Sequence, residues 1–566
     1  MLRQPGAPAG QPDPNAWKLF VFRKHRELLS TRGLLEDLKA EIQSLSRGAG
    51  SVIDALVRAG EIETGLEEEN SPSAALMAEV VDELASAALS QTCLSAHLLQ
   101  TIERAELPVH IRCSHPEGFS YYGLNPLDFA DLAGTLRSHL ASRVRVIGIR
   151  TVGSTLGACV AAALRAGGTL AWRITVRPEG EPYQRTTTFN PVQMAWILAG
   201  LEEQADFVVV DEGPGFSGST FLSVAHALTQ AGVAVSRIVL MGSRPFPVNT
   251  ATAGQARQWA LFRSHTIEYD KHRPLTSGRM LGGGVWRELL YHQRSKWPAS
   301  WIEQERIKHL TADGRSWLKF EGFGRFGRRV RDQACLLAEA GLAPRLFGFD
   351  GGFGRYEFVR GRPLTTRDLS PALISRLAGY CAFRARNFSA ENSDLPMLGE
   401  MLRVNVEAEF GLACSAAALP LERPVCADCR MLPHEWLTTP KGRTVKSDGA
   451  GHGEGHQLPG PVDIAWDLAG VIVEWGLNTE AAEFFLEDYL RQSGDDPRKR
   501  MTGYLLAYAV HRMAHCRMAA ASTSSRHEHK RLRHAYKSLR QRVTALLEDS
   551  KAGPFRLAPV FMVVQG

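Results

Sequence analysis

The chain has 566 residues, 44% of them hydrophobic and 22% charged, with a formal net charge of +6. Such a composition fits folded globular domains, about three or four on length, and the charge is too small for this length to imply a nucleic-acid partner. Nine scattered cysteines form no paired framework, no apolar stretch is long enough to span a bilayer, and the N-terminus lacks a secretory h-region, so a cytoplasmic protein without membrane partners is expected.

Residues 1–15 read as a disordered tail. Residues 16–110 are expected to be a helical N-terminal region. Leu34, Leu35, Leu38, Ile42 and Leu45 recur at helical spacing, and further helices are expected over 52–66 and 73–103. No catalytic constellation stands out, so the region reads as a packing unit for the next domain, a homo-oligomer contact or a partner module. Glu67, Glu68 and Glu69 read as a solvated face.

Residues 111–290 alternate between strand and helix patterns, as a parallel α/β sheet requires. Val208, Val209 and Val210 read as a buried strand with Asp211 and Glu212 at its carboxyl end. A loop with Gly213, Gly215 and Gly218 follows, carrying Ser217, Ser219 and Thr220, and then a helix over 221–232. Ligands of open α/β sheets bind beyond the carboxyl edge, and amides of a glycine-rich loop at a helix start cradle phosphate. Two adjacent carboxylates suit a vicinal diol or a magnesium-bound sugar phosphate.

Apolar strand, acid pair and Ser217-Gly218-Ser219-Thr220 resemble the type I phosphoribosyltransferases, which bind phosphoribosyl pyrophosphate (PRPP). The resemblance implies a Rossmann-like sheet with Asp211 and Glu212 on the ribose hydroxyls. Gly213, Gly215, Ser217, Gly218, Ser219 and Thr220 would lie around the 5′-phosphate, with Mg2+ bridging pyrophosphate and ribose. Four residues separate the acid pair from Ser217, where the family usually has three. The other reading is a glycine-rich turn in some other Rossmann-like domain.

An earlier strand, 145–149, ends in Arg150, Thr151, Gly153 and Ser154 before a helix, and resembles the family's pyrophosphate loop; a surface salt bridge is the other reading of Arg150. Residues 172–185 read as a flap. Its Arg177 or Arg185 would neutralise leaving pyrophosphate, or both belong to an ordinary exposed hairpin. Trp259, Phe262 and Trp286 either stack an acceptor or pack the core. The expected activity is 5-phosphoribosyl transfer from PRPP to an unidentified acceptor; the alternative is a PRPP sensor whose C-terminal domain binds partners.

Residues 291–566 carry a second pattern. A strand with Lys319 is followed by a helix over 328–340, two strands, and Glu357-Phe358-Val359 before Gly361-Arg362-Pro363-Leu364. This resembles the aminoglycoside phosphotransferase and kinase-like fold, an α+β bilobal architecture. The resemblance implies ATP as substrate, Lys319 on its phosphates, Glu357 and Val359 flanking the adenine, Asp428 in the catalytic loop, and Asp448 as a magnesium ligand. Asp332 or Glu339 would pair with Lys319. The second metal ligand, expected five residues after Asp428, meets Pro433, so His434 is the nearest donor. Asp467 resembles a structural helix cap. The domain would phosphorylate a small molecule, or bind without catalysing.

Cys426 with Cys429, and His452 with His456, have zinc-compatible spacings, although the intervening gap is long and the His segment glycine-broken; a flexible loop is the other reading. Arg526 to Arg542 holds seven Lys or Arg and one acid. It reads as a solvated helix face or a phosphate-binding helix, without the aromatic interleaving of single-strand binders.

Overall fold

The computed structural model describes residues 16, 19–21, 27–48, 50–90, 98, 102, 106–181, 183–215, 217–247, 252–268, 272, 278–390, 395–412, 419–451, 453, 455 and 457–551. The tail 1–15, His452 and His456 lie outside them.

Five strands form a parallel sheet in the order Leu170–Val176, Arg143–Ile149, Asp206–Val210, Ile238–Gly242 and Arg263–Thr266. Alternation along the inner strands feeds two cores. Val144, Val146, Val208 and Val210 face the helix Val152–Ala166 and the N-terminal helices. Ile147, Ile149, Phe207 and Val209 face residues of the helix Ser219–Gln230. Burial on both faces explains why these strands read as continuous apolar runs.

The N-terminal helices Thr31–Ser46, Val52–Glu68 and Ala74–Ser90 direct their apolar residues into the first of those cores. Val52–Glu68 lies so close to Val152–Ala166 that a Cβ on Gly60 would stand 2.0 Å from Thr155 Oγ1. The expectation of an all-helical region misses one strand, Glu27–Ser30, which pairs antiparallel with His110–Cys113. A four-residue pairing with a distant partner leaves no local periodicity to read. Glu68 also departs from the solvated face: its side chain is 8% exposed and ion-paired to Arg150 and Arg177.

A second, antiparallel sheet runs Leu346–Asp350, Phe353–Glu357, Ser316–Phe320, Lys308–Leu310, Arg279–Met280. The helix Gly324–Glu339 buries Phe326, Val330, Ala334 and Leu337 at helical spacing. The remainder is mostly helical, from Pro371–Asn387 to Arg526–Lys551, around a core that fully buries Trp436, Trp466 and Trp475. The whole is a mixed α/β, partly helical, multidomain architecture. Among the described residues no helix is long and apolar enough to cross a membrane.

The two sheets share a core. Phe320, Phe323 and Phe353 of the antiparallel unit pack in the same cluster as the N-terminal helices. Phe323 N–H donates to the Phe119 carbonyl at 3.0 Å, Gly324 N–H donates to Asp54 Oδ1 at 2.8 Å, and Arg325 pairs with Glu61 at 2.6 Å.

Candidate functional site

The strand Asp206–Val210 delivers Asp211 and Glu212 to the carboxyl edge of the parallel sheet, where both are half-buried and already accept backbone N–H groups. Glu212 accepts the Gly118 N–H, and Asp211 Oδ1 accepts the Glu212 N–H at 2.8 Å. Burial first, then Glu212, pushes the Asp211 carboxyl well above its ordinary range. Burial and Glu117 push Glu212 up to about 8, so its carboxyl tends to hold a proton near neutrality. The following turn is packed over. Gly213 accepts from Ser243 N–H at 2.8 Å, Ser219 N–H donates to Ser217 Oγ at 3.2 Å, and Ser217, Gly218 and Ser219 are buried. Gly218 has φ +65, and a Cβ there would meet the Phe246 ring at 2.5 Å. Phe246 in turn stacks on Trp259, ring centres 4.7 Å apart.

The neighbouring loop is occupied as well. Arg150 donates to Thr175 Oγ1 at 3.0 Å and to Glu68 Oε1 at 3.2 Å. Arg177 donates to the same Glu68 oxygen at 2.8 Å and to the Arg150 carbonyl at 2.7 Å. Ser154 Oγ bonds Thr64 Oγ1 at 2.9 Å, and Arg185 turns back on the Gly180 carbonyl. The Glu68 carboxylate thus stands against the arginines expected to meet pyrophosphate. Of the aromatic acceptor candidates, Trp259 and Phe262 lie in the core and Trp286 stacks on His434.

The C-terminal unit brings two of its expected residues, Lys319 and Asp448, into contact. Lys319, on the strand Ser316–Phe320, is 1% exposed. Its Nζ lies 2.6 Å from Asp448 Oδ1 and 3.1 Å from Glu321 Oε2. The expected helix partners do not serve: Asp332 pairs with Arg331 at the surface, and Glu321 takes the place assigned to Asp332 or Glu339. Glu321 also accepts Tyr356 Oη at 2.7 Å and pairs with Arg306 at 3.0 Å. Glu321 is two residues beyond Lys319, hence on the same strand face, and that spacing was the available signal. Lys308 is the second residue missed. Its Nζ is 3.0 Å from Asp448 Oδ2. Burial alone would discharge it, but Asp448 and Glu305 raise its pKa, so it stays an ammonium.

Asp428 is fully buried. It accepts the Tyr380 hydroxyl, and Lys446 Nζ lies 3.5 Å away. Burial, then Asp428, raises the Tyr380 phenol, which keeps its proton and donates. Asp467 holds the Asp428 loop by accepting the Asp428 and Cys429 N–H groups, each at 2.8 Å. Cys429 sits at φ +66, a left-handed conformation those two bonds support. Asp467 is therefore structural, but it caps the facing loop instead of its own helix; Asp463 Oδ1 accepts the Ala465 N–H there at 2.9 Å. Glu357 pairs with Arg443 at 3.3 Å, and Val359 packs with Leu437 and Val445.

A magnesium ion, implied by the kinase-like resemblance, does not fit this donor set. Magnesium takes oxygen ligands in near-octahedral array. Both Asp448 oxygens face lysine ammonium groups. Pro433 offers no side-chain donor, and His434, pushed down to about 4 by burial, stacks on Trp286 at 5.8 Å. Among the described residues no group of three or more His, Cys, Asp or Glu could hold a metal, which leaves no zinc set around Cys426 and Cys429 there either. The basic C-terminal helix has several of its arginines engaged: Arg531 pairs with Glu528 at 2.6 Å, and Arg542 donates to the Val473 carbonyl at 2.9 Å.

No family model and no curated protein matches the chain. Solved structures do resemble part of it. A choline/ethanolamine kinase family protein from Mesorhizobium loti is 17% identical, with TM-score 0.32, over 44% of this chain and 86% of that one. Choline kinase LicA from Streptococcus pneumoniae is 16% identical, TM-score 0.29, over 42% and 89%. An aminoglycoside phosphotransferase from Alicyclobacillus acidocaldarius is 16% identical, TM-score 0.30, over 44% and 89%. At these scores the likenesses decide nothing alone.

The occupancy of the parallel sheet's carboxyl edge corrects the expectation of a PRPP-dependent phosphoribosyltransferase, a glycosyltransferase with PRPP and magnesium, and the PRPP sensor with it. Ser217, Gly218 and Ser219 are buried, with Gly218 against Phe246 and Trp259, and Arg150 and Arg177 are held by Glu68.

Proposed function

We propose that the C-terminal unit binds a nucleoside triphosphate, ATP in the first instance, and is an ATP-dependent phosphotransferase acting on a small molecule. The observation that carries the reading is the approach of Lys319 Nζ to Asp448 Oδ1 at 2.6 Å across 129 positions of sequence. A strand lysine and an acid from the facing segment meet where a kinase-like site would hold phosphates. Lys319 and Lys308 supply positive charge to the phosphate oxygens, and a buried setting strengthens that attraction. In the transfer, the acceptor oxygen forms a bond to the terminal phosphorus, the bond from that phosphorus to the bridging oxygen breaks, and ADP leaves carrying that bridging oxygen. Asp428 is the side chain of the right type to take the acceptor proton.

A second reading, nucleotide binding without transfer, is favoured by the complete burial of Asp428 and its bond from Tyr380. The cavity bordered by Trp317, Glu321, Tyr356 and Asp448 measures about 10 Å³, room for about one water. Catalysis therefore requires the segments carrying Lys319 and Asp448 to part. The test is incubation of the full chain with ATP and a panel of amino alcohols and aminoglycosides, read by mass spectrometry for a phosphorylated product. A product that disappears in Asp428→Asn supports transfer. ATP binding with no product from any acceptor, and no ADP, supports the second reading.

A further inference from the structure

The antiparallel register sets Lys308 directly opposite Lys319 on neighbouring strands. Like charges so placed repel, and burial sharpens the repulsion. Here Asp448 bridges the two, with Oδ1 on Lys319 at 2.6 Å and Oδ2 on Lys308 at 3.0 Å, and Glu321 Oε2 adds a second acid 3.1 Å from Lys319. Two converging ammonium groups around one divided anion form a receptor for a second anion of the same kind, such as adjacent phosphate oxygens. The expected metal donors are missing from the same place, because Pro433 has none and His434 is stacked on Trp286.

We infer that the Lys308–Lys319 pair stands in for the divalent cation, so that the site holds a nucleotide's phosphates on two ammonium groups without a metal ion. This rests on the nucleotide-binding reading above. Asp448 is then an internal stand-in for phosphate that the nucleotide displaces. Arg306, which pairs with Glu321 at 3.0 Å, is the next cation along the same wall. Glu305, the other acid acting on Lys308, is already engaged by the Gly284 N–H at 2.7 Å and Trp286 Nε1–H at 3.0 Å.

The experiment is calorimetric titration of the full chain with ATP, once in EDTA and once in excess magnesium. The expected dissociation constants agree within about threefold. Lys308→Met weakens binding in EDTA by about tenfold or more, whereas Lys308→Arg, which keeps the charge, stays near wild type. Manganese added to the full chain with ATP gives no electron paramagnetic resonance signal beyond that of free manganese–ATP. ATP binding that requires magnesium, or a protein-bound manganese signal, overturns the inference and leaves the nucleotide reading standing. Absence of ATP binding in both buffers removes both.

Discussion

Lys308 and Lys319 face each other across two antiparallel strands, and the Asp448 carboxylate bridges both ammonium groups. Removing that carboxylate leaves two buried like charges opposed. Asp448→Ala is predicted to lower the unfolding free energy by about 3 kcal/mol, read from urea denaturation. Adding Lys308→Met removes one opposing charge, so the double variant should recover a good part of the loss. Strictly additive effects would show that the three groups are not coupled.

Asp467 fixes the Asp428 loop through two backbone N–H groups and lies 3.8 Å from Arg384 Nε. Asp467→Ala orphans both amides and leaves Arg384 short of a buried counter-charge, a cost of about 3–5 kcal/mol. Asp467→Asn retains one acceptor oxygen and should lose less. A thermal scan of both variants checks the order.

Helix Val52–Glu68 can approach Val152–Ala166 only because Gly60 has no side chain at Thr155. Gly60→Ala is predicted to destabilise by about 1–3 kcal/mol through overpacking. Thr155→Ala, which removes the clashing oxygen, should rescue much of it in the double variant. Equal stability of Gly60→Ala and wild type would mean that the helices do not meet as described.

Glu212 has a folded pKa raised to about 8 from an ordinary 4.5, chiefly by burial. The native state therefore holds a proton that the unfolded chain releases between those values. The stability it contributes is complete below the unfolded value and declines as pH rises toward about 8. Glu212→Gln, which still offers an oxygen to Gly118 N–H, should flatten this decline and raise the melting temperature at pH 8 relative to wild type. A variant that parallels the wild-type pH profile would contradict the assignment.

The strands and the acids at their ends were legible because their signals are local. Val208 to Val210 read as a buried strand, whereas the Lys319–Asp448 pair was not legible: Lys319 is expected to meet Asp332 or Glu339, and Asp448 a magnesium ion. Lys308 was legible in principle: a two-residue Asp313-Gly314 turn, counted outward, pairs 311 with 316 and so 308 with 319. What local pattern could not report was the other side of each contact. The acid pair and glycine loop look the same in sequence whether a sugar phosphate or Phe246 lies on them. Glu68 reads as one acid in a surface run until the helix that carries it is laid against Arg150 and Arg177. The strand Glu27–Ser30 and the closure over Asp428 were hidden for the same reason.

The most direct test of the central claim is calorimetric titration of ATP into the full chain beside Lys319→Met, with folding of both verified by circular dichroism. The account predicts saturable binding at one site per chain and a loss of about tenfold or more in affinity in the variant. Absence of binding by the wild type, or equal affinity in a folded variant, would contradict it.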